Sequence, residues 1–162
     1  MWGKRKRESL DAGSRAPSFK LKSMDGSTQS LEGILAKGPA LFAFFKISCP
    51  VCQLALPYLE RLGGSSSLQI VAISQDDEVA TSGFRQRFGI TLPTLLDQSK
   101  EGYPASNAYG LTSVPSLFLV EKTGEIALAS AGFAKRDFES LGKRAGVQPF
   151  RPEENVPEWK AG

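Results

Sequence analysis

The sequence predicts an α/β fold in which helices flank a central mixed β-sheet. Three observations lead to this prediction: a buried strand runs directly into a helix at residues 40–62, a second strand–helix pair follows at 68–89, and two more strands with a closing helix occupy 114–146. Strands connected through helices favour parallel pairing, whereas strands joined by a tight turn pair antiparallel. We therefore expect both kinds of pairing in one sheet.

The chain of 162 residues has the size and composition of one globular domain. Apolar residues make up 41% of it and charged residues 23%, which excludes a disordered or collagen-like chain. The net charge of +3 depends on four basic residues at positions 4–7, without which the formal charge is about −1. We therefore expect no nucleic-acid binding, and a flexible basic arm over residues 1–15.

Two absences in the sequence limit the function. There is no histidine, so Ser–His and Cys–His mechanisms and histidine-ligated metal sites are excluded. Polar residues at 8–15 follow the basic run where a signal peptide would need an apolar segment, and no membrane span is visible. We therefore expect a cytoplasmic protein, or a periplasmic or membrane-associated one if a leader is missing from this numbering.

Residues 16–31 predict a small β-hairpin at the edge of the sheet. Residues 16–22 alternate between apolar and polar side chains, and the turn pair Asp25-Gly26 precedes a second short stretch at 28–31. Gly38-Pro39 then breaks the chain before the continuous apolar run 40–45. A run of this length suits a strand that is buried on both faces.

A helix of about four turns is predicted after this strand. Its apolar side chains recur at helical spacing until Gly63-Gly64 ends the pattern: Val51, Leu54, Ala55, Tyr58, Leu59 and Leu62. Pro50 suits the first turn, where its missing N–H costs nothing. Pro57 falls inside the helix and should kink it.

The middle of the chain predicts a further strand–helix unit. Residues 68–73 form a buried strand, the acidic group at 76–78 a solvated loop, and Thr81 or Ser82 caps a helix that ends at Gly89. A short apolar segment at 92–96 then leads into residues 97–102, which predict a polar loop.

The last part of the folded chain predicts a β-hairpin and a helix. A strand begins at Val114-Pro115, a turn at 122–124 connects it to a partner at 125–130, and a helix runs from Gly132 to near Gly146. Residues 148–162 show no periodicity and predict an extended tail. The domain itself is therefore expected over residues 16–147.

The stretch Cys49-Pro50-Val51-Cys52 holds the only two cysteines of the sequence. It joins the buried strand to the helix, so Cys49 lies at a helix N-terminus, where unpaired N–H groups and the helix dipole favour a thiolate. A second thiol one turn away can resolve a mixed disulfide. The alternative is a pair of inert thiols or a structural disulfide. A zinc site is not expected, since no further cysteine or histidine could complete its four ligands.

Several spaced features together resemble the thioredoxin superfamily, in particular its TlpA-like and peroxiredoxin-like branch of AhpC/TSA-type redoxins. They are the cysteine pair, the prolines inside the helix and before the later strand, and the glycines of the hairpin and of the last helix: Cys49, Cys52, Pro57, Pro115, Gly124 and Gly132. The resemblance covers roughly residues 39–145. It implies a thioredoxin fold with an N-terminal β-hairpin extension.

The resemblance also implies the roles of the site residues. Cys49 is the nucleophile and Cys52 the resolving thiol, Pro50 positions the helix, and a cis bond at Val114-Pro115 turns the Val114 backbone toward the dithiol, where it can pair with an extended substrate segment. One position departs from the family, because Ala43 stands where thioredoxins hold a buried aspartate. Lys46, water or the acidic group at 76–78 could transfer the proton instead.

These features predict a thiol–disulfide oxidoreductase. It would exchange disulfides with protein or small thiol substrates through a mixed disulfide, and a partner reductase would regenerate it. We expect a monomer with no metal and no cofactor besides the redox-active Cys49–Cys52 disulfide.

Two alternatives remain open at this point. The first is a thiol peroxidase with Cys52 as the peroxidatic residue. That family's Thr-x-x-Cys pattern would place its threonine at Cys49, and residues 112–116 lack the arginine that such enzymes use. The second is a redox-inert interaction domain, which leaves the dithiol unexplained.

Overall fold

The computed structural model describes residues 10–64 and 67–162, in which one seven-stranded mixed sheet is flanked by helices. The strands are β1 (Lys20–Ser23), β2 (Thr28–Ser30), β3 (Ala40–Phe45), β4 (Gln69–Ser74), β5 (Thr94–Leu96), β6 (Ser116–Val120), β7 (Ile126–Ala131), β8 (Phe133–Ala134) and β9 (Trp159–Lys160). The helices are α1 (Leu31–Leu35), α2 (Pro50–Leu62), α3 (Glu78–Phe88), α4 (Pro104–Ala108) and α5 (Lys135–Ala145). The basic run at 4–7 lies outside the described residues.

Strand β3 lies inside the sheet, whose order is β2-β1-β5-β4-β3-β6-β7. It pairs parallel with β4 and antiparallel with β6, and all six of its residues are buried. A strand covered on both faces needs apolar side chains in both directions, which explains the unbroken apolar run. The predicted α/β class, thioredoxin fold and N-terminal β-hairpin are confirmed.

Alternate side chains of β3 enter two separate cores. Leu41, Ala43 and Phe45 pack with apolar residues of α2, α3 and α5, whereas Phe42 and Phe44 pack on the opposite face with α1 and Tyr109. Full burial of each large side chain stabilises the fold by roughly 1.5–3 kcal/mol. These contacts hold the C-terminal end of β3, and therefore the start of α2, in a fixed position.

Two polar segments are more ordered than their sequence suggests. Helix α3 begins before the predicted cap, because the Asp77 side chain accepts a hydrogen bond from the N–H of Ala80 (2.8 Å) and thereby caps it. In the predicted polar loop, Asp97 is buried and accepts bonds from the N–H groups of Ala105 (2.9 Å) and Ser106 (2.7 Å). This carboxylate thus caps α4 from within the core.

The described chain packs against the domain beyond both predicted boundaries. At the N-terminal side, the N–H of Gly13 donates to the Ile126 carbonyl at 2.8 Å. At the C-terminal side, Phe150 packs against Tyr58 with ring centroids 4.9 Å apart, and β9 pairs antiparallel with β8. Residues 148–162 therefore contact the folded domain at several points.

No helix within residues 10–64 and 67–162 has the length and hydrophobicity needed to cross a membrane.

Candidate redox site

The dithiol lies where β3 ends and α2 begins. Cys49 is the N-cap residue of α2 and Pro50 occupies its first turn. The backbone N–H of Cys52 donates to the Cys49 sulfur, with an N–Sγ distance of 3.1 Å. Because this N–H has no partner inside the helix, it is available to stabilise negative charge on that sulfur.

The two thiols occupy different environments. Cys49 is partly exposed, whereas Cys52 is buried. Burial raises the pKa of the Cys52 thiol far above its usual value, and the hydrogen bond with Cys49 and the nearby charge of Asp76 act in the same direction. A backbone hydrogen bond of Lys46 opposes the rise. The pair therefore consists of an accessible sulfur and a protected, protonated one.

The second half of the site is the loop before β6. The Val114–Pro115 peptide bond is cis, and the Val114 carbonyl oxygen lies 3.4 Å from the Cys49 sulfur, which donates to it. Val114 and Pro115 are thus brought beside Cys49 although 65 residues separate Val114 from it along the chain. The backbone of Val114 is in position to meet anything that binds at Cys49.

The loop between β3 and Cys49 is held by two polar side chains. The Asp76 carboxylate accepts a hydrogen bond from the N–H of Ile47 (2.8 Å), and the amide of Gln53 donates to the Ile47 carbonyl (3.0 Å). The sequence marked the acidic group at 76–78 without separating its members. Asp77 caps α3 and Glu78 forms an ion pair with Lys22 at 3.6 Å, so Asp76 is the member of the group that contacts the dithiol loop.

Ala43 occupies the position at which thioredoxins hold a buried aspartate. It is fully buried in β3 and packs in the same core as Cys52. A methyl group there can neither donate nor accept a proton. The carboxylate of Asp76 accepts a hydrogen bond from the Ile47 N–H, and its charge is one cause of the raised pKa of Cys52.

Residues 160–162 are neighbours of the site that the sequence did not predict. The N–H of Gly132 donates to the Pro115 carbonyl (2.8 Å), and Lys160 and Gly162 lie against Gly132 on its other side. A Cβ atom added to Gly162 would overlap the Val114 carbonyl. No sequence signal could reveal this contact, because the tail has neither periodicity nor a motif.

The chain is similar to known proteins. Residues 12–129 match the AhpC/TSA family. The chain is 30% identical over 132 residues to the thiol-disulfide oxidoreductase ResA of Geobacillus kaustophilus, covering 78% of this chain and 74% of that protein. It is 29% identical over 125 residues to ResA of Halalkalibacterium halodurans, covering 75% of this chain and 69% of that protein.

Solved structures share the fold. The thioredoxin domain of a thiol-disulfide oxidoreductase from Bacteroides vulgatus superposes with a TM-score of 0.74 at 20% identity, covering 85% of this chain and 99% of that one. The resemblance expected from the cysteine pair and the spaced prolines is thereby confirmed. The family model matches well over half of the sequence, and the chain belongs to the AhpC/TSA family.

Proposed function

We propose that Cys49 attacks the disulfide of a substrate protein, that Cys52 resolves the mixed disulfide, and that a partner reductase restores the dithiol. The coarser statement, that the chain is a thiol–disulfide oxidoreductase, is supported by its family and by the ResA relatives. The observation that carries the finer proposal is the asymmetry of the two sulfurs, one partly exposed at a helix N-terminus and the other buried beneath it.

In the first step, the Cys49 thiolate attacks one sulfur of the substrate disulfide. A bond forms between Cys49 and that sulfur, the substrate S–S bond breaks, and the other substrate sulfur leaves as a thiolate. The N–H of Cys52 stabilises the attacking sulfur. Cys49 suits this step because it is the thiol that a large substrate can reach.

In the second step, Cys52 loses its proton and attacks the Cys49 sulfur of the mixed disulfide. The proton goes to water, the Cys49–Cys52 bond forms and the bond between Cys49 and the substrate sulfur breaks. That sulfur leaves as a thiolate, so the substrate has received two electrons from the dithiol. The high pKa of the buried Cys52 thiol makes its deprotonation the demanding part of this step. Asp76 lies against the dithiol loop and influences that pKa, so we assign it a positioning and electrostatic role.

The regeneration of the enzyme reverses this chemistry with another dithiol protein as the electron donor. The two sulfurs carry the electrons, so the proposal needs no other cofactor and no metal. We further propose that the protein works as a monomer. The compartment stays a prediction: cytoplasmic, or periplasmic or membrane-associated if a leader is missing from this numbering.

The thiol peroxidase alternative has less support. Its peroxidatic residue would be Cys52, and a peroxidatic cysteine must be an accessible thiolate. Cys52 is buried, and burial raises its pKa. The environment of Cys52 therefore favours a resolving role.

A turnover assay tests the proposal. Reduction of a disulfide-bonded test protein by dithiothreitol is measured with wild type, Cys49→Ser and Cys52→Ser, with peroxide consumption measured in parallel. We expect turnover of the disulfide by wild type alone and no peroxide consumption above the background of free thiols. Peroxide turnover that disappears only in Cys52→Ser, from a wild type that is inactive on disulfides, would establish the peroxidase instead.

A further inference from the structure

The segment from Glu158 to Gly162 contains the two-residue strand β9 and lies beside the loop that faces Cys49. Within it, Trp159 pairs with Ala134 and Lys160 with Phe133, and the Glu158 carbonyl accepts a bond from the N–H of Lys135 (3.0 Å). The segment passes over Gly132, which has a left-handed backbone (φ 76°) and is buried. A side chain at position 132 would overlap the Lys160 carbonyl, so glycine permits this close approach.

The last residues of this segment contact the Val114 backbone, which faces Cys49. Gly162 lies against the carbonyl group of Val114, so closely that a Cβ atom would overlap it. The same Val114 oxygen accepts the hydrogen bond from the Cys49 thiol. An extended substrate segment that reached Cys49 along Val114 would therefore meet residues 160–162.

Few contacts hold β9 itself, whereas an ion pair holds the residues before it. Trp159 is 61% exposed and β9 has two residues, so few apolar contacts retain the strand. Just before it, the guanidinium group of Arg61 in α2 binds both oxygens of Glu154 at 2.7 and 3.0 Å. Short, exposed pairings open at low free energy cost, so the strand can detach while the Glu154 anchor stays bound.

We propose that residues 158–162, with β9 among them, form an internal segment that competes with the substrate for the surface made by Val114 and β8. The partner that this surface fits is an extended protein segment carrying the disulfide, paired through its backbone as the tail is now. This inference rests on the proposed function and deepens it. Protein disulfides must displace the tail, whereas a small disulfide needs only the Cys49 sulfur, so the tail lowers the rate for proteins selectively.

The test compares two substrates across matched variants. A chain ending at Pro157 removes the strand and keeps the Arg61–Glu154 anchor, and Gly162→Val displaces only its end from Val114. For both variants, we expect kcat/KM on a protein disulfide to rise about threefold to tenfold. This increase corresponds to a wild-type site from which the tail is detached roughly a tenth to a third of the time. The rate with the small disulfide dithionitrobenzoate should stay unchanged. Lys160→Ala, which keeps the backbone pairing of an exposed residue, is the control and should match wild type.

Amide hydrogen exchange provides a readout that does not require turnover. A peptide copied from the disulfide-bearing segment of the protein substrate, with serine in place of both cysteines, is added to wild type. Amide exchange is then followed at residues 132–135 and 158–162. We expect faster exchange at 158–162 as the peptide displaces the strand. An unchanged or lower protein-to-small-disulfide rate ratio in both variants would overturn the inference, as would unchanged exchange in the presence of bound peptide. Inactivity of wild type toward both disulfides would instead overturn the proposed function.

Discussion

At the scale of single residues, the site depends on the difference between its two thiols. The N-cap position gives Cys49 a backbone donor, and the core beneath α2 gives Cys52 an apolar environment. The same four-residue motif thus produces one sulfur suited to attack and one that waits in the protonated form. The order of the two chemical steps that we propose follows from this difference.

The pH dependence of the second step follows from the raised pKa of Cys52. Its usual value is 9.0 and burial raises it, so the thiolate fraction increases about tenfold per pH unit across pH 6 to 9. We expect the rate of substrate release from a preformed mixed disulfide to increase by the same factor, without levelling off at pH 9. Stopped-flow mixing of that adduct at a series of pH values measures the rate.

Asp76 modifies this profile. Its negative charge is one cause of the raised pKa, so Asp76→Asn should lower the Cys52 pKa and speed substrate release at pH 7. Asp77→Asn, at the exposed cap of α3, is the matched control and should leave the rate unchanged. Slower release in Asp76→Asn would contradict this electrostatic role of Asp76. A wild-type rate that does not vary with pH would contradict the raised pKa of Cys52.

At the scale of elements, a buried helix cap should contribute more to the free energy of unfolding than an exposed one. Asp97 satisfies two buried N–H groups of α4, whereas Asp77 caps α3 at the surface. Asp97→Ala leaves those N–H groups without a partner and should lower the free energy of unfolding by about 2–4 kcal/mol. Asp77→Ala should cost about 1 kcal/mol. Urea unfolding of both variants measures the difference, and equal losses would contradict the role of Asp97.

The elements also show which features could be predicted from the sequence. The continuous apolar run of β3 and the helical spacing of α2 predicted both elements and placed the dithiol between them, because the local pattern and the tertiary burial agree there. Asp97 lies in the predicted loop, but its burial could not be predicted, since its polar neighbours resemble a solvated segment and its partners lie eight and nine residues away. Helix α1 was missed because it has five residues and contains Gly33.

At the scale of the whole molecule, the tail is part of the folded unit. Its anchor, Glu154, binds Arg61, and this bond lowers the pKa of Glu154 from 4.5 to about 2. A carboxyl group with a depressed pKa stabilises the fold fully above pH 4.5 and loses that contribution as the pH falls toward 2. Nothing in the sequence of residues 148–162 indicates these contacts, because they depend on residues nearly a hundred positions earlier.

Thermal unfolding of Glu154→Gln tests this anchor. We expect a lower Tm than wild type at pH 7, because glutamine keeps the size of the side chain but cannot form the ion pair. The difference in Tm should shrink as the pH falls from 4.5 toward 2, where wild type also loses the charge. A difference that stays constant over this range would show that the ion pair does not stabilise the fold.

The most direct test of the central claim, that Cys49 attacks and Cys52 resolves, is to identify the trapped intermediate. Cys49→Ser and Cys52→Ser are each incubated with a disulfide-bonded test protein, and the products are analysed by non-reducing mass spectrometry. A stable mixed disulfide on Cys49 should accumulate in Cys52→Ser, and none should form in Cys49→Ser. A mixed disulfide on Cys52 in Cys49→Ser, with none on Cys49 in the other variant, would contradict the assignment of the two thiols.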